Sequence, residues 1–374
     1  MKTSIFYIYL LGILVPPSEL ISQNFELVSN NRLILGSYQE RSASVVAGDI
    51  DGDGDNDILV ANGRHWPGQN RMFINNGSGI FTVEKNLGEF RSTSYAAELG
   101  DFDNDGDLDL AVGNDMAPNN LFFNDGFGFF TLVSNFGKDY EPTRNLTLED
   151  IDQDGDIDIL ITNRGRPNEI CLNDGEGNFD NTLSFGSVDD STIDVETADM
   201  DADGDLDLIL ANRDFQQNYV YLNNGALDFS VRLPFGTGSD NTRSVAVSDI
   251  NSDGILDIIL ANIDEPNRIY FGSDEVPYSE WIEFDASISK SYAVSTIDID
   301  SNNKPDIIIG NSGSQNAIYL NKGNGLEWHH IPLAEEKLRT YDIISVDINN
   351  DGLIDIVEAN SDAINRYYFI RPKN

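Results

Sequence analysis

The densest chemistry in the chain lies in nine residues, Asp49-Ile50-Asp51-Gly52-Asp53-Gly54-Asp55-Asn56-Asp57. Five carboxylates held this close repel one another and would raise their own pKa values. A hard divalent cation that prefers oxygen ligands resolves the repulsion, and calcium, which takes six or seven oxygens at about 2.4 Å, fits best. With the loop numbered one to nine, positions one, three and five project carboxylates inward and Gly at six permits the turn. Position seven offers its backbone carbonyl, and position nine returns a carboxylate from the start of the next strand.

The same loop returns six more times. The candidate ligands are Asp49, Asp51, Asp53, Asp55 and Asp57 in the first loop, and Asp101, Asp103, Asp105, Asp107 and Asp109 in the second. The third has Asp150, Asp152, Asp154, Asp156 and Asp158, and the fourth Asp199, Asp201, Asp203, Asp205 and Asp207. Loop five offers Asp249, Asn251, Asp253, Ile255 (through its carbonyl) and Asp257; loop seven offers Asp347, Asn349, Asp351, Leu353 (likewise) and Asp355. Loop six has Asp298, Asp300, Asn302 and Asp306, but Asn303 replaces the turn Gly and Lys304-Pro305 follow. Up to seven Ca2+ sites are predicted, with loop 298–306 the weakest or empty, because the Lys304 ammonium could partly replace the metal. An EF-hand is excluded: it needs a Glu at position twelve and a following helix, and only Glu358 stands there, ahead of a strand pattern. Seven near-equivalent sites argue that the metal is structural rather than catalytic.

The loops need a scaffold that repeats with them. Their first Asp recurs at spacings of 52, 49, 49, 50, 49 and 49 residues. Each unit carries a Ser or Thr seven before that Asp, a short strand, the loop and an apolar strand that ends at an Asn thirteen after it. A second Asn, a third strand, a turn signal such as Asn76-Gly77 or Asp125-Gly126 and a fourth strand opening near an aromatic complete the unit. No stretch has helical periodicity. The predicted fold is all-β: a seven-bladed β-propeller with four antiparallel strands per blade. The last unit stops after its third strand, and Phe25-Glu26-Leu27-Val28 supplies the missing fourth, so the N-terminal strand is expected to complete the last blade and close the ring. The Asn pairs are read as turn-closing and structural.

These units resemble the FG-GAP repeat, also called the VCBS-type repeat, of integrin alpha-chain propellers and many secreted bacterial proteins. Phe136-Gly137, Phe185-Gly186 and Phe235-Gly236 match its "FG" element, and the D-x-D-x-D-G-x-x-D loops match its calcium loop except at loop six. The resemblance covers Phe25 to the C-terminus. It implies a propeller with calcium on one face; it implies no particular function.

In that topology the acidic loops share one face, and the opposite face collects the loops between strands two and three and between units. Most of the scarce cations fall there, with aromatics among them. The candidate ligand-binding residues are Arg64, His65, Trp66, Arg91, Tyr140, Arg144, Arg164, Arg166, Arg213 and Phe215. Arg pairs carboxylates or sulfates and aromatic rings stack on sugars, so an acidic glycan or an acidic protein segment is the expected partner. The alternative is a polysaccharide lyase that uses His65, Tyr140 and Arg144 or Arg164 as base, acid and carboxylate neutraliser. No nucleophile motif appears, and no catalytic residue is assigned.

The totals agree. Across 374 residues, 64 acidic side chains face 23 basic ones, for a formal charge of -41. This excludes nucleic acid as a partner, since phosphate binding needs a net basic surface. Nearly half of the acidic residues sit in the seven loops. The one cysteine, Cys171, rules out an intramolecular disulfide and reads as a buried strand residue. A basic start, the apolar run Ile5 to Val15 and Pro16-Pro17 describe a secretory signal over 1–22, too short to span a bilayer. Residues 23–374 are then one secreted, periplasmic or cell-surface domain, expected to be a monomer without a membrane span, whose partner is an extracellular glycan or protein.

Overall fold

The computed structural model describes residues 25–30, 32–273 and 275–373; the signal assigned to 1–22 lies outside them. Every regular element among the described residues is a β-strand, so no helix there is long and apolar enough to cross a membrane.

Units two, three and four are separate four-stranded antiparallel sheets. Unit two, for example, runs Ser94–Gly100, Asp109–Asn114, Asn119–Phe123 and Thr131–Phe136, each paired with the next. Elsewhere the sheets join, in contrast to the separate blades expected. Glu280–Ile297 is the fourth strand of unit five and, without a break, the first strand of unit six, which fuses both into a six-stranded sheet. Ile34–Gly48 links in the same way, pairing with Asp355–Pro372 of unit seven through Ile34 and Leu35 and with Asp57–Asn62 of unit one from Ser42 onward. The N-terminal strand Phe25–Val28 lies antiparallel on the end of the same unit-seven segment, with Phe25 opposite Pro372 and Val28 opposite Phe369. The edge of unit seven is thus covered by the start of the chain.

The second strand of each unit explains the layering. Asp57–Asn62 is buried at all six positions, as a run like Ile58-Leu59-Val60-Ala61 requires when both faces are covered. Side chains alternate across the strand. Ile58 and Val60 therefore enter a cluster with Val357 and Phe369 of unit seven, while Leu59 and Ala61 enter another with Ala97 and Leu110 of unit two. Seven such clusters fill the molecule, each between one unit and its neighbour. First strands also neighbour one another in order, and that of unit seven, Thr340–Val346, lies beside that of unit one.

Polar relays cross the same junctions. Asn70 Nδ2 donates to Ser94 Oγ at 2.9 Å, and Ser94 Oγ donates to Asn114 Oδ1 at 3.0 Å. The relay recurs in Asn168–Thr192–Asn212, Asn218–Thr242–Asn262, Asn267–Ser291–Asn311 and Asn316–Thr340–Asn360. The repeated Ser/Thr and both repeated Asn are therefore one inter-unit device, structural as expected. In unit two Asn119 accepts the Asn114 amide, at the same five-residue spacing as in units three, five, six and seven.

Candidate functional site

The acidic loops share a fixed backbone. Position four is left-handed in all seven loops, from Gly52 to Asn350, and the position-six glycines have φ between 82° and 101°. A Cβ at Gly54 or Gly106 would meet nothing within 4 Å, so glycine is there for its torsion rather than for space. Asn303 meets the same demand in loop six with φ 62°, as Asn tolerates this region better than most residues. The first Asp gathers the turn: in loop one Asp53 N and Gly54 N each donate to the Asp49 carboxylate at 3.0 Å. Asp53 in turn accepts Asp55 N at 3.1 Å. The last Asp, Asp57, is fully buried and accepts Ile50 N at 3.2 Å and Asn75 N at 2.7 Å.

These amides pull carboxylates together. In five loops one oxygen from each of three acidic residues lies within 4.8 Å of the others: Asp49, Asp51 and Asp53; Asp101, Asp103 and Asp109; Asp150, Asp152 and Asp158; Asp199, Asp201 and Asp203; Asp298, Asp300 and Asp306. Burial foremost, then the neighbouring Asp53, lifts the Asp51 carboxyl above its ordinary range, and Asp103, Asp152 and Asp201 follow suit. Oδ1 of Asp51 and of Asp300 is buried without a hydrogen-bond partner among the described residues. A buried carboxylate oxygen without a donor is costly, and a cation is the partner that would satisfy it. The donor set therefore fits a calcium ion. In loops five and seven Asn251 and Asn349 turn their amide nitrogens onto Asp253 Oδ2 (2.9 Å) and Asp355 Oδ2 (2.8 Å), which leaves fewer carboxylates facing one another. Lys304 does not fold into its own loop. Its Nζ donates to Ser252 Oγ of loop five at 3.0 Å, so it does not stand in for a metal in loop six, which keeps a three-carboxylate cluster.

That Lys304 contact belongs to a series the sequence reading missed. Position four of one loop reaches position seven of the next, as Asn104 Nδ2 to Asp156 Oδ1 (2.8 Å) and Asn350 Nδ2 to Asp55 Oδ1 (2.5 Å). The side chains of Asp55, Asp156, Asp205 and Lys304 are thus engaged between loops. A second clamp comes from the Asn that opens the hairpin turn in four units, Asn75, Asn124, Asn173 and Asn321. Asn124 Nδ2 donates to Ile50 O of the previous loop and to Leu108 O of its own, at 2.8 and 3.1 Å. Its signal, Asn-x-Gly-x-Gly after the third strand, was visible at 75–79, 124–128, 173–177 and 321–325.

On the opposite side, five of the predicted binding residues, Arg64, His65, Arg144, Arg164 and Arg213, line one cavity of about 280 Å³ with Tyr95, Ile193, Arg243, Tyr292 and Tyr341. The last five were not among the predicted binding residues. Their signal was positional: Tyr95, Arg144, Ile193, Arg243, Tyr292 and Tyr341 each directly follow the repeated Ser or Thr. In every unit the register slips at this residue, a β-bulge, and a bulge re-aims a side chain. Here it delivers one side chain per unit toward the shared centre.

The cavity is strongly cationic. Arg144 is buried, donates to Asp115 Oδ1 at 2.6 Å and lies 4.4 Å from the Tyr95 ring centroid. Arg164 grips Asp214 through Nε and Nη2 at 2.8–2.9 Å. Arg64 donates to Ser361 Oγ at 2.7 Å and lies 4.1 Å from the Tyr341 centroid. Nε of Arg64 and of Arg213 is buried without a partner among the described residues. Burial and then the Arg164 charge lower the Arg213 pKa, the mark of cations held against their repulsion. His65 bridges Asp115 Oδ2 (Nδ1, 2.7 Å) and the Tyr95 hydroxyl (Nε2, 3.0 Å). The carboxylate fixes the proton on Nδ1, so Nε2 accepts from the phenol. Tyr95, not Tyr140, is thus the phenol at His65. Tyr140 and Phe215 are 64% and 68% exposed and lie outside the cavity, each with positive φ. Trp66 and Arg91 line a separate surface groove, and Arg166 pairs with Glu141 at 3.5 Å. Deeper along the same centre, Glu98, Asp194, Glu196 and Asp342 line a second cavity of about 390 Å³. Burial there holds Glu196 up to about 8 and raises Glu98 well above its usual range.

No curated protein matches the sequence. Among solved structures, crystals of BBS1N in complex with ARL6DN, soaked with lead or with mercury, superpose with TM-score 0.63 at 11% identity, covering 93% of this chain and 98% of that one. The WD40 domain of Toxoplasma gondii coronin gives TM-score 0.62 at 10% identity, covering 94% and 87%. At such identities the likeness speaks for a propeller-like fold alone. The model of the FG-GAP-like repeat matches residues 49–112, 101–161, 150–210, 199–260 and 298–358, each stretch running from one acidic loop into the next unit. The chain belongs to the FG-GAP-like repeat family.

Proposed function

We propose that this chain is a secreted, calcium-loaded, seven-bladed β-propeller that serves as a binding module for an extracellular glycan or protein carrying negative charge. Calcium in the acidic loops is structural: it joins carboxylates whose repulsion would otherwise open the turns. Closure of the ring is supported by the pairing of Phe25–Val28 with unit seven and by the core cluster shared by units seven and one. The observation that carries the binding role is the set of bulge residues, which brings arginine and tyrosine from separate units to one cavity away from the acidic loops. Exposed Trp66, Phe90, Tyr140 and Phe215 add apolar surface on the connecting loops. Bulky residues in left-handed conformation there, Arg64 (56°) and Phe215 (63°), are strain that functional loops retain. A propeller of this shape in complex with another protein, BBS1N with ARL6DN, is a precedent for the interaction role.

The test is a glycan array and an acidic-peptide array, each with and without calcium. Binding that requires calcium for stability, and is lost when Arg64 is replaced, is expected; binding to neither array would end this reading. A second reading, a polysaccharide lyase, is favoured by the Asp115–His65–Tyr95 chain beside Arg144. Incubation with uronate polymers would give unsaturated products if it holds, and none if the module only binds.

A further inference from the structure

We propose that the arginine-lined cavity is an end-on subsite for the terminal uronate of an acidic polysaccharide; this rests on the binding-module reading and names its ligand class.

The charge argument comes first. Arg64, Arg144, Arg164, Arg213 and Arg243 share this cavity, while Asp115 and Asp214 are the carboxylates bonded to them. The remaining positive charge is concentrated in a chain of formal charge -41; Arg144 and Arg243 also face the acidic residues of the adjoining cavity, whereas Arg64, Arg164 and Arg213 line only this one. The buried Nε donors of Arg64 and Arg213 have no hydrogen-bond partner among the described residues, with Asp214 Oδ1 3.7 Å from Arg213 Nε. Unpaired buried donors are expensive, and an anion between them removes that cost. Guanidinium groups with spare donors match a carboxylate in a fixed fork.

The shape argument decides what carries the carboxylate. A cavity of about 280 Å³ exceeds a bare carboxylate and suits one ring-sized group. Its walls offer the phenols of Tyr292 and Tyr341, whose rings meet edge-on at 4.8 Å. These groups offer hydrogen bonds that sugar hydroxyls can use and that an aspartate or glutamate side chain has no hydroxyls to meet. First strands surround the centre on all sides, so a chain end enters where an internal sugar would not. Beyond the arginines the adjoining cavity is lined by Glu98, Asp194, Glu196 and Asp342, whose raised carboxyls can offer protons to sugar hydroxyls.

The experiment uses the calcium-loaded full chain with four probes: trigalacturonate, its methyl ester, hexaglutamate and inorganic sulfate. Binding is measured by calorimetry, and arginine Nε resonances are followed by NMR in the unaltered protein, which needs no variant. Trigalacturonate is expected to bind and to shift buried arginine Nε resonances, with the ester at least about tenfold weaker. Arg213→Gln and Arg243→Gln should each weaken trigalacturonate at least about tenfold at an unchanged melting temperature. Hexaglutamate or sulfate binding as tightly as trigalacturonate would overturn the sugar assignment. Trigalacturonate binding that survives both variants, or leaves the Nε resonances unmoved, would overturn the cavity as the subsite while leaving the module reading intact. Silence from all four probes overturns the subsite, and the module reading falls with it only if the arrays are silent too.

Discussion

At the scale of single residues, the acidic loops store an electrostatic debt that an ion would cancel. Asp51 shows it most directly, with one carboxylate oxygen buried and unpartnered. Asp51→Asn should cost the protein one equivalent of bound calcium and several degrees of melting temperature in calcium, with little change in chelator; titration calorimetry and paired thermal melts would read both. The position-nine aspartates make a pH prediction. Burial foremost, offset in part by two backbone amides, pushes Asp109, Asp158, Asp306 and Asp355 up to about 7 and Asp57, Asp207 and Asp257 up to about 6. Between the ordinary value of about 4 and these raised values, the folded chain holds protons that the unfolded chain has released. Such groups contribute stability that is complete at low pH and lost as pH rises through the folded value. In chelator, then, the melting temperature should fall between about pH 4 and pH 7. Calcium prefers the ionised carboxylates and should flatten or reverse the slope. Thermal melts across this range decide it, and a flat profile in chelator would contradict the assignment.

At the scale of elements, the junctions between units are hydrogen-bonded on both sides of an apolar layer: the Ser/Thr–Asn relays at one end and the hairpin asparagines at the other. Asn124 serves four groups at once, donating to Ile50 O and Leu108 O and accepting Asp125 N and Gly128 N. Asn124→Ala would leave buried carbonyls and amides without partners and should cost about 2–3 kcal/mol, read from the denaturant midpoint at constant slope. Much of this architecture was legible beforehand. The period placed every loop, the continuous apolar runs marked strands buried on both faces, and the Asn pairs read as structural, while their link to the Ser/Thr was not visible. The arginine-lined cavity was legible only in part. Arg64, Arg164 and Arg213 stand in loops where cations catch the eye, but Tyr95, Arg243, Tyr292 and Tyr341 stand inside strands. There the bulge breaks the in-and-out alternation by one residue, and a slip of one moves a side chain to the other face. Nothing in the residue types at that position announces the slip, because Ala43 and Ile193 occupy it as readily as arginine. The pairing of His65 with Tyr95 rather than Tyr140 follows from the same offset.

At the scale of the whole molecule, the packing of each unit on its neighbours governs stability more than any one site. Each core cluster lies between two units, so a unit detached from its neighbour loses half of its packing, and units seven and one depend on the segment that begins the described chain. Phe25 is 4% exposed and sits in the cluster of units six and seven with Ile318, Tyr368 and Ile370. Phe25–Val28 also covers the backbone edge of Asp355–Pro372, and an uncovered edge recruits other chains. A chain beginning at Ser29 should therefore unfold at a lower temperature, by the loss of a buried Phe worth about 3–5 kcal/mol together with four residues of pairing. It should also self-associate where the full chain does not. Calcium would not rescue it, because the acidic loops lie at strand ends that the deletion leaves in place. Light scattering on both chains, in calcium and in chelator, separates the two contributions: a shortened chain that stays monomeric and melts with the full one would mean that units seven and one are held together by the Ile34–Gly48 link alone.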